Sequence, residues 1–521
     1  MKSILLKNRR IILHALLAAF IILVAFLYAK SQVGAHTAAP DPFQKTFFLI
    51  SALMIIGLAV SFWLLLVKKV KLEYVFVLMM LLFGMIYSVL IPVRSAPDES
   101  IRIESALAAA GKMMGWKADD PGTLVERVIE RDNGLSETGI VHDYYNSYFP
   151  RLHESESSSE RVLAAYNVTS EVPKLCYYVP GFGIVIGRLL GLGAVPTLML
   201  GRLMHLLVFI LAGFYAIRRT PAGKELFFLI ALFPMMQQCV STFSIDCIPL
   251  SCAFVLTAGV LYYVLEKKSL RTLLSERKKS TIAELILLGF CAVLLSACKY
   301  GGLLPVVLLL LLIVIEKRKK DRVLCFGSLG VLALGFFAGF LPQMVSIFQS
   351  DILTGAGEPH YGVSDILLQP GHTFTVLGNT VNRYMDHYIY STVGTSLGWF
   401  ELNMPAVVGI AFLFILLLSV LMQDKAKVSL SRLSKALVIL CACLGVAFAV
   451  VGMMLGNTPR SSEIVEGVQG RYFLPFLLPL LTFAGAGVLV PTDRDGMGRG
   501  LIFAASVVEF IAVMCLFIRA Y

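Results

Sequence analysis

Charge is what this sequence has little of. Only 15% of its 521 residues are Asp, Glu, Lys or Arg, whereas 57% are hydrophobic and the mean hydropathy is +0.79. A soluble fold of this length could not keep so much apolar surface from water, which excludes a soluble enzyme or carrier. Paired CxxC spacings are also missing. The ten Cys are scattered, mostly inside apolar runs, and read as small packing residues rather than zinc or redox ligands. No HExxH pattern occurs, and His360, His372 and His387 are irregularly spaced, so no dedicated zinc site is expected. Walker A and GxSxG sequences are absent, and nothing suggests ATP hydrolysis or a serine hydrolase. Gly181-Phe182-Gly183 with Gly187 follows no strand and reads as small-residue helix packing. Internal repeats and low-complexity linkers are lacking too.

What is present is a succession of long apolar runs. Spanning helices are expected over residues 11–29, 46–67, 73–92, 197–217, 224–240, 247–265, 281–298, 301–316, 324–347, 404–422, 435–455, 472–490 and 500–519. The apolar-length rule thus predicts an all-α polytopic membrane protein with about thirteen crossings. The first run follows Lys2 to Arg10 as a signal peptide would, but it is long and has no nearby small-x-small cleavage site, so it reads as a retained helix.

The net charge of +11 does not point to nucleic acid, because the basic residues sit in short segments between apolar runs. Clusters fall at Lys2 to Arg10, Lys68 to Lys71, Arg218 to Lys224, Lys267 to Lys279, Lys317 to Arg322, Lys425 to Lys435 and Arg494 to Arg499. They occupy every second loop, which the positive-inside rule makes cytoplasmic, together with the N-terminus. Residues 176–194 are apolar as well, but a full crossing there would place Arg218 and Arg219 outside. A re-entrant or interfacial helix bordering a cavity is expected instead.

This parity gives the outer face residues 93–175, the turn from Gln237 to Asp246, the Lys299 turn, residues 348–403 and residues 456–471. In the first outer loop, Ser100 to Met114 and Thr123 to Arg131 are expected to be helical, the second ending at Asn133-Gly134. The segment from His142 to Glu160 reads as a polar, aromatic, turn-rich tail. Asn167-Val168-Thr169 is a formal glycosylation sequon, a triplet common by chance.

The residues able to carry chemistry lie on that outer face. Pro97-Asp98-Glu99 places two carboxylates where an apolar run ends, suited to general-base work or to a divalent cation. Neighbouring residues on a helix do not share a face, so at most one is the base; a solvated helix end is the plain alternative. Gly467-Val468-Gln469-Gly470-Arg471-Tyr472 offers close backbone approach and a guanidinium suited to phosphate, or an Arg that snorkels to headgroups. Asp246 needs a cavity or a partner, and Lys299 or Arg202 would serve as that partner. Lys299 neutralises either a phosphate or Asp246. Arg202 falls within a span and requires an anion, whereas His205 reads as a satisfied core histidine.

Taken together, several pieces resemble a bacterial membrane-protein family, domain of unknown function 2142, related to the GT-C class of polyprenyl-phosphate-dependent glycosyltransferases. They are Pro97-Asp98-Glu99, Tyr178-Val179-Pro180 leading to Gly187-Arg188-Leu189-Leu190, and Gly201-Arg202-Leu203. Pro234-Met235 with Gln238, Ser244 and Asp246, Gly398-Trp399-Phe400 before Pro405, and Gly467 through Pro475 complete the set. The resemblance covers roughly residues 75–490, so residues 1–72 look like two additional helices, 73–490 like the core, and 491–521 like a C-terminal helix. A His that commonly follows the family's acidic pair is missing here, and Arg102 occupies that neighbourhood.

The resemblance implies a GT-C-like fold with large outer loops in the bacterial cytoplasmic membrane, acting on the outer face. The donor it implies is a sugar on a polyprenyl phosphate, and the acceptor a cell-envelope glycan or lipid. On this reading Asp98 is the general base, with Glu99 in support. Arg471, Lys299 and Arg202 bind the donor phosphate, and Asp246, Gln469, Tyr472, Tyr178 and Trp399 contact substrate. Glu99 and Asp246 would position the acceptor or a divalent ion such as Mg or Mn. A polysaccharide polymerase or ligase, a flippase of lipid-linked sugars and a non-catalytic scaffold are the rivals; inverted repeats and a charged path through the bilayer, expected of a flippase, are not visible.

Overall fold

The computed structural model describes the chain apart from residues 1, 35–38, 117, 119, 121, 167–171, 350–359, 425–427, 429 and 485–487. The sequon at Asn167, Lys425 and Lys427 of one basic cluster and part of the segment 348–403 therefore lie outside the described residues. Helices dominate, with two small two-stranded antiparallel sheets as the strands among the described residues.

Among the described residues, nine helices are long and apolar enough to cross a membrane. They are Ile11–Gln32, Pro42–Val67, Leu72–Leu90, Ala194–Arg219, Cys247–Leu265, Leu270–Ser296, Arg322–Val345, Arg432–Asn457 and Arg494–Ala520. All nine coincide with expected spans. The other four expected crossings are shorter or interrupted, which corrects the count of about thirteen full-length helices. Run 224–240 is two buried pieces, Lys224–Ala231 and Pro234–Ser241. Pro234 has no N–H to donate to the preceding turn, so the first piece stops before it. Run 301–316 is split at Leu308 and Leu309 into Leu304–Val307 and Leu310–Lys317, with Pro305 in the first turn of the first piece, where its missing N–H has no intrahelical partner to lose. Run 472–490 begins as a 3₁₀ turn, Gly470–Phe473, and continues as Leu474–Ala484 with Pro479 inside. Ala406–Leu421, with 16 residues, reaches only about 24 Å, short of a hydrocarbon core of about 30 Å.

Burial orders these helices from centre to periphery. The apolar window of Cys247–Leu265 is 89% buried inside the protein, that of Ile11–Gln32 only 6%. Small residues set the closest approaches: Gly213 of Ala194–Arg219 lies on the Phe76 ring, and Gly259 meets Leu288. The segment expected to be re-entrant is the 15-residue helix Leu175–Leu189. Its Gly181 faces Ala106 and Ala109, Gly183 the Leu200 carbonyl and Gly187 Thr197, as the small-residue reading expects.

The basic loops gather at one end. Lys69 reaches Asp493 (4.0 Å), Arg494 pairs with Asp424 (2.7 Å) and Arg499 donates to the Val70 carbonyl (2.6 Å). Residues 68–71 enter Leu72–Leu90, whose far end delivers the Pro97-Asp98-Glu99 loop, so the two groups sit at opposite ends of the bundle.

The long loop after Leu72–Leu90 folds more than its sequence suggests. Helix Glu99–Met113 appears as expected. Thr123 to Arg131, by contrast, is a strand, Thr123–Arg127, followed by the short helix Val128–Arg131. The strand pairs antiparallel with Arg161–Ala165, a non-local contact that overrides local helix propensity. The supposed turn-rich tail contains the helix His142–Arg151, which buries Tyr145, Tyr148 and Phe149. Tyr145 donates to the Leu90 carbonyl (2.5 Å), and Asp41, ahead of helix Pro42–Phe62, bonds His142 (2.8 Å). Through these bonds the N-terminal helices brace the loop that leads to Asp98.

Candidate functional site

The loop from Ile91 to Asp98 is held by the residue after it. Glu99 is 1% exposed, and its carboxylate accepts from the backbone N–H groups of Arg94 (2.9 Å) and Phe243 (2.9 Å). It also accepts from Arg202 through Nε (2.9 Å) and Nη2 (2.6 Å). Arg202, fully buried, donates its other N–H groups to the carbonyls of Ser88 (2.8 Å), Ile91 (2.5 Å) and Pro92 (3.0 Å). A guanidinium has five donors and all five are used. Arg202 is therefore corrected from phosphate ligand to loop anchor. Glu99 is corrected likewise, because a carboxylate saturated by donors and closed to solvent cannot take up an acceptor or a metal.

Asp98 is different. It adopts a left-handed conformation (φ 59°) ahead of helix Glu99–Met113 and does not cap it, so its side chain turns away from the helix. That side chain is 40% exposed and meets Arg471 Nη2 at 3.2 Å. Arg471, on the turn Gly470–Phe473, is 5% exposed and presents Nε to Asp246 at 3.6 Å. Asp246, immediately before helix Cys247–Leu265, pairs in turn with Lys299 and accepts from the Ser244 hydroxyl (3.3 Å). Lys299 stands over the Tyr472 ring, 4.4 Å from its centroid. The ends of four helices, Leu72–Leu90, Cys247–Leu265, Leu270–Ser296 and the short Leu474–Ala484, thus converge on one run of alternating charge, Asp98, Arg471, Asp246 and Lys299.

Electrostatics orders this run. Burial opposes the charged form of Asp246, but Lys299 and Arg471 outweigh it and hold the carboxyl below the ordinary Asp range. Asp246 therefore fixes two cations in place, and its expected partner is Lys299 rather than Arg202. Among the described residues no three His, Cys, Asp or Glu side chains are grouped to hold a metal ion. Asp98 and Asp246 share Arg471, so a guanidinium occupies the position a divalent ion would need between them.

The remaining expected residues are distributed unevenly. Gln469 precedes the Arg471 turn, and its carbonyl accepts from Tyr472 N–H (3.1 Å). Gly470 lies so close to the backbone of Thr392, which bonds its carbonyl (3.1 Å), that no Cβ fits. Trp399 is half-buried at the tip of the hairpin Ser396–Leu397 with Leu402–Asn403. Gly398 there bonds Gln238 (2.8 Å) and lies against the Ser95 carbonyl, which brings the tip to the Asp98 loop. The Trp399 indole N–H is buried with no partner among the described residues. Tyr178 stands exposed on Leu175–Leu189, and no contact described ties it to the charged run. His205 is a core histidine bonded through Nδ1 to the Thr242 carbonyl (2.9 Å), as expected.

Sequence reading missed a second charged group beneath the long loop after Leu72–Leu90. Glu130 binds Arg188 (3.0 and 2.8 Å) and Arg127 Nε (3.0 Å), and Arg127 reaches Glu156 (3.1 Å), locking the loop onto Leu175–Leu189. Glu126 lies beside them, 5% exposed. Burial, then the neighbouring Glu130 charge, pushes its carboxyl from 4.5 to about 7. No signal in the sequence separates these acids from solvated ones. An acid whose pKa rises on folding costs nothing below its unfolded pKa and destabilises increasingly as pH rises through its folded value. Glu126→Gln is therefore expected to raise the thermal midpoint at pH 8 and leave it unchanged near pH 4.5. Equal shifts at both pH values would refute this assignment.

No curated protein and no solved structure matches the sequence. Residues 81–480, well over half the chain, match the family described as predicted membrane protein (DUF2142), a stretch opening inside the helix that leads to Asp98 and closing just past Arg471. The chain belongs to that family.

Proposed function

We propose that this membrane protein is an inverting glycosyltransferase that moves a sugar from a polyprenyl-phosphate donor to a glycan or lipid on the outer face of the membrane. The observation that carries this reading is the half-exposed Asp98 held against buried Arg471, at the bundle end opposite the basic loops. Counting the short and interrupted helices as crossings leaves the basic loops cytoplasmic and the charged run outside. No nucleotide-sugar pool exists there, so a lipid-linked donor is the consistent supply.

In this mechanism the acceptor hydroxyl gives its proton to the Asp98 carboxylate while its oxygen bonds to the anomeric carbon. The bond from that carbon to the phosphate oxygen breaks, and the lipid phosphate leaves with the electron pair. Arg471 and Lys299 offset the charge on the departing phosphate, and a preorganised cation pair needs no rearrangement to do so. Asp246 holds both cations. Tyr472, Gln469 and Trp399 face the substrate, and Trp399 offers its unpaired indole N–H as well as a ring.

The test is the envelope glycan of cells with and without the protein. Loss of one sugar substituent, restored by the wild-type chain, is expected. Accumulation of unextended lipid-linked units would favour a polymerase instead, and an unchanged glycan profile would overturn both readings.

A further inference from the structure

Helix Pro370–Val393 belongs neither to the charged run nor to the long apolar helices, yet it holds the turn that carries Arg471. The Thr392 hydroxyl bonds the Gly470 carbonyl (3.1 Å), and the Tyr388 ring meets that of Phe473 edge-on, centroids 6.0 Å apart. Thr380 accepts from the Val465 N–H (2.8 Å). Val376 and Tyr388 share an apolar cluster with Val465, Val468 and Met454, the last of these in the final turn of Arg432–Asn457. From Val376 to Thr392, these partners all lie at the site end of the bundle.

The rest of the helix surface divides lengthwise. Phe374, Gly378, Val381, Met385 and Ile389 follow one another at spacings of four, three, four and four, which puts them on one stripe of an α-helix. All five are exposed, Phe374 to 74%. Asn379, Asn382, Arg383 and Asp386 form a second exposed stripe beside it, polar throughout. Single exposed apolar residues need no explanation, but an apolar row in helical register marks a contact surface. What covers it follows from what adjoins it. Tyr390, one residue past the stripe, packs on Gly409 in the first turn of Ala406–Leu421. Exposed Val407, Ile410 and Phe414 of that helix continue the apolar surface into the lipid. At about 24 Å, Ala406–Leu421 is about 6 Å short of the hydrocarbon thickness, so the chain feeding it enters the leaflet rather than standing above it.

From one face continuous with a lipid-facing helix and another gripping the Arg471 turn, we infer that Pro370–Val393 is an interfacial helix. Its partner is the bilayer leaflet at the site end, with acyl chains against Phe374 to Ile389, and seating there holds the Arg471 turn at the membrane surface. The charges of Arg383 and Asp386 cancel, so apolar contact and not an anionic headgroup seats the helix. This surface stands whether or not the protein transfers sugar.

The test uses the full-length protein in nanodiscs of zwitterionic lipid holding one copy each, with cysteines introduced singly and a brief pulse of water-soluble maleimide read peptide by peptide. Val381→Cys and Met385→Cys are expected to react about tenfold more slowly than Asn382→Cys and Asp386→Cys, although all four positions are exposed in the fold itself. Equal rates would overturn the inference. So would protection that appears only with two copies per disc, which would give the stripe to a second copy, or protection that requires anionic lipid. The hold on Arg471 is read by amide hydrogen exchange at Val465 and Gly470 to Phe473, which Val381→Asp combined with Met385→Asp should speed several-fold. Unchanged exchange in that folded variant would show that the seated helix does not hold the turn. Should the double variant fail to fold, Val381→Ser takes its place in the same measurement.

Discussion

Arg202→Met is expected to destabilise the protein by about 3–5 kcal/mol, because it strands a buried carboxylate. Glu99 would retain its two short backbone contacts, to Arg94 and Phe243, and lose both bonds from the guanidinium. Three carbonyls at the end of Leu72–Leu90 would lose their donor at the same time. Detergent-purified variant protein should show a markedly lower thermal midpoint and a broader elution profile. Adding Glu99→Gln should recover part of the loss, since the uncompensated charge is what costs most. A single variant as stable as the wild type would show that the pair does not hold the loop.

Asp98→Asn should give the opposite phenotype one residue away. The side chain is 40% exposed and caps no helix, so the fold gives up little when its charge is removed. In the proposed transfer, however, Asp98 is the general base, a role worth about 10²–10⁴ in rate. Transfer to the envelope glycan, measured in membranes with lipid-linked donor, should fall by that factor while the thermal midpoint stays near wild type. Asn retains the shape of Asp and can still meet Arg471, so the loss isolates proton acceptance from positioning. Wild-type transfer by a well-folded Asp98→Asn protein would end the base assignment.

These adjacent carboxylates show where sequence reading stops. Their side chains diverge at a helix start, which was foreseeable, but which of them is structural depends on Arg202, far along the chain. The polar turn ending in Asp246 and the Arg471 segment were each legible as features at the ends of apolar runs by their polar and glycine content. That Asp246 would hold both cations was not, because the ends of four helices separated in sequence must be brought together before any of these distances exists. The two-stranded sheet of Thr123–Arg127 with Arg161–Ala165 was missed for the same reason: strand identity came from a partner distant in sequence.

Apolar length and basic-residue distribution by themselves determined that the chain is a multi-helix membrane protein with its acidic loops at one end, because the bilayer imposes its thickness and charge preference on every span independently. Tertiary structure alone decided that runs 224–240 and 301–316 are broken and that Glu99 and Arg202 anchor a loop. It alone joined Asp98, Arg471, Asp246 and Lys299 into one charged run, since buried polar groups are assigned partners only when packing removes water as the alternative.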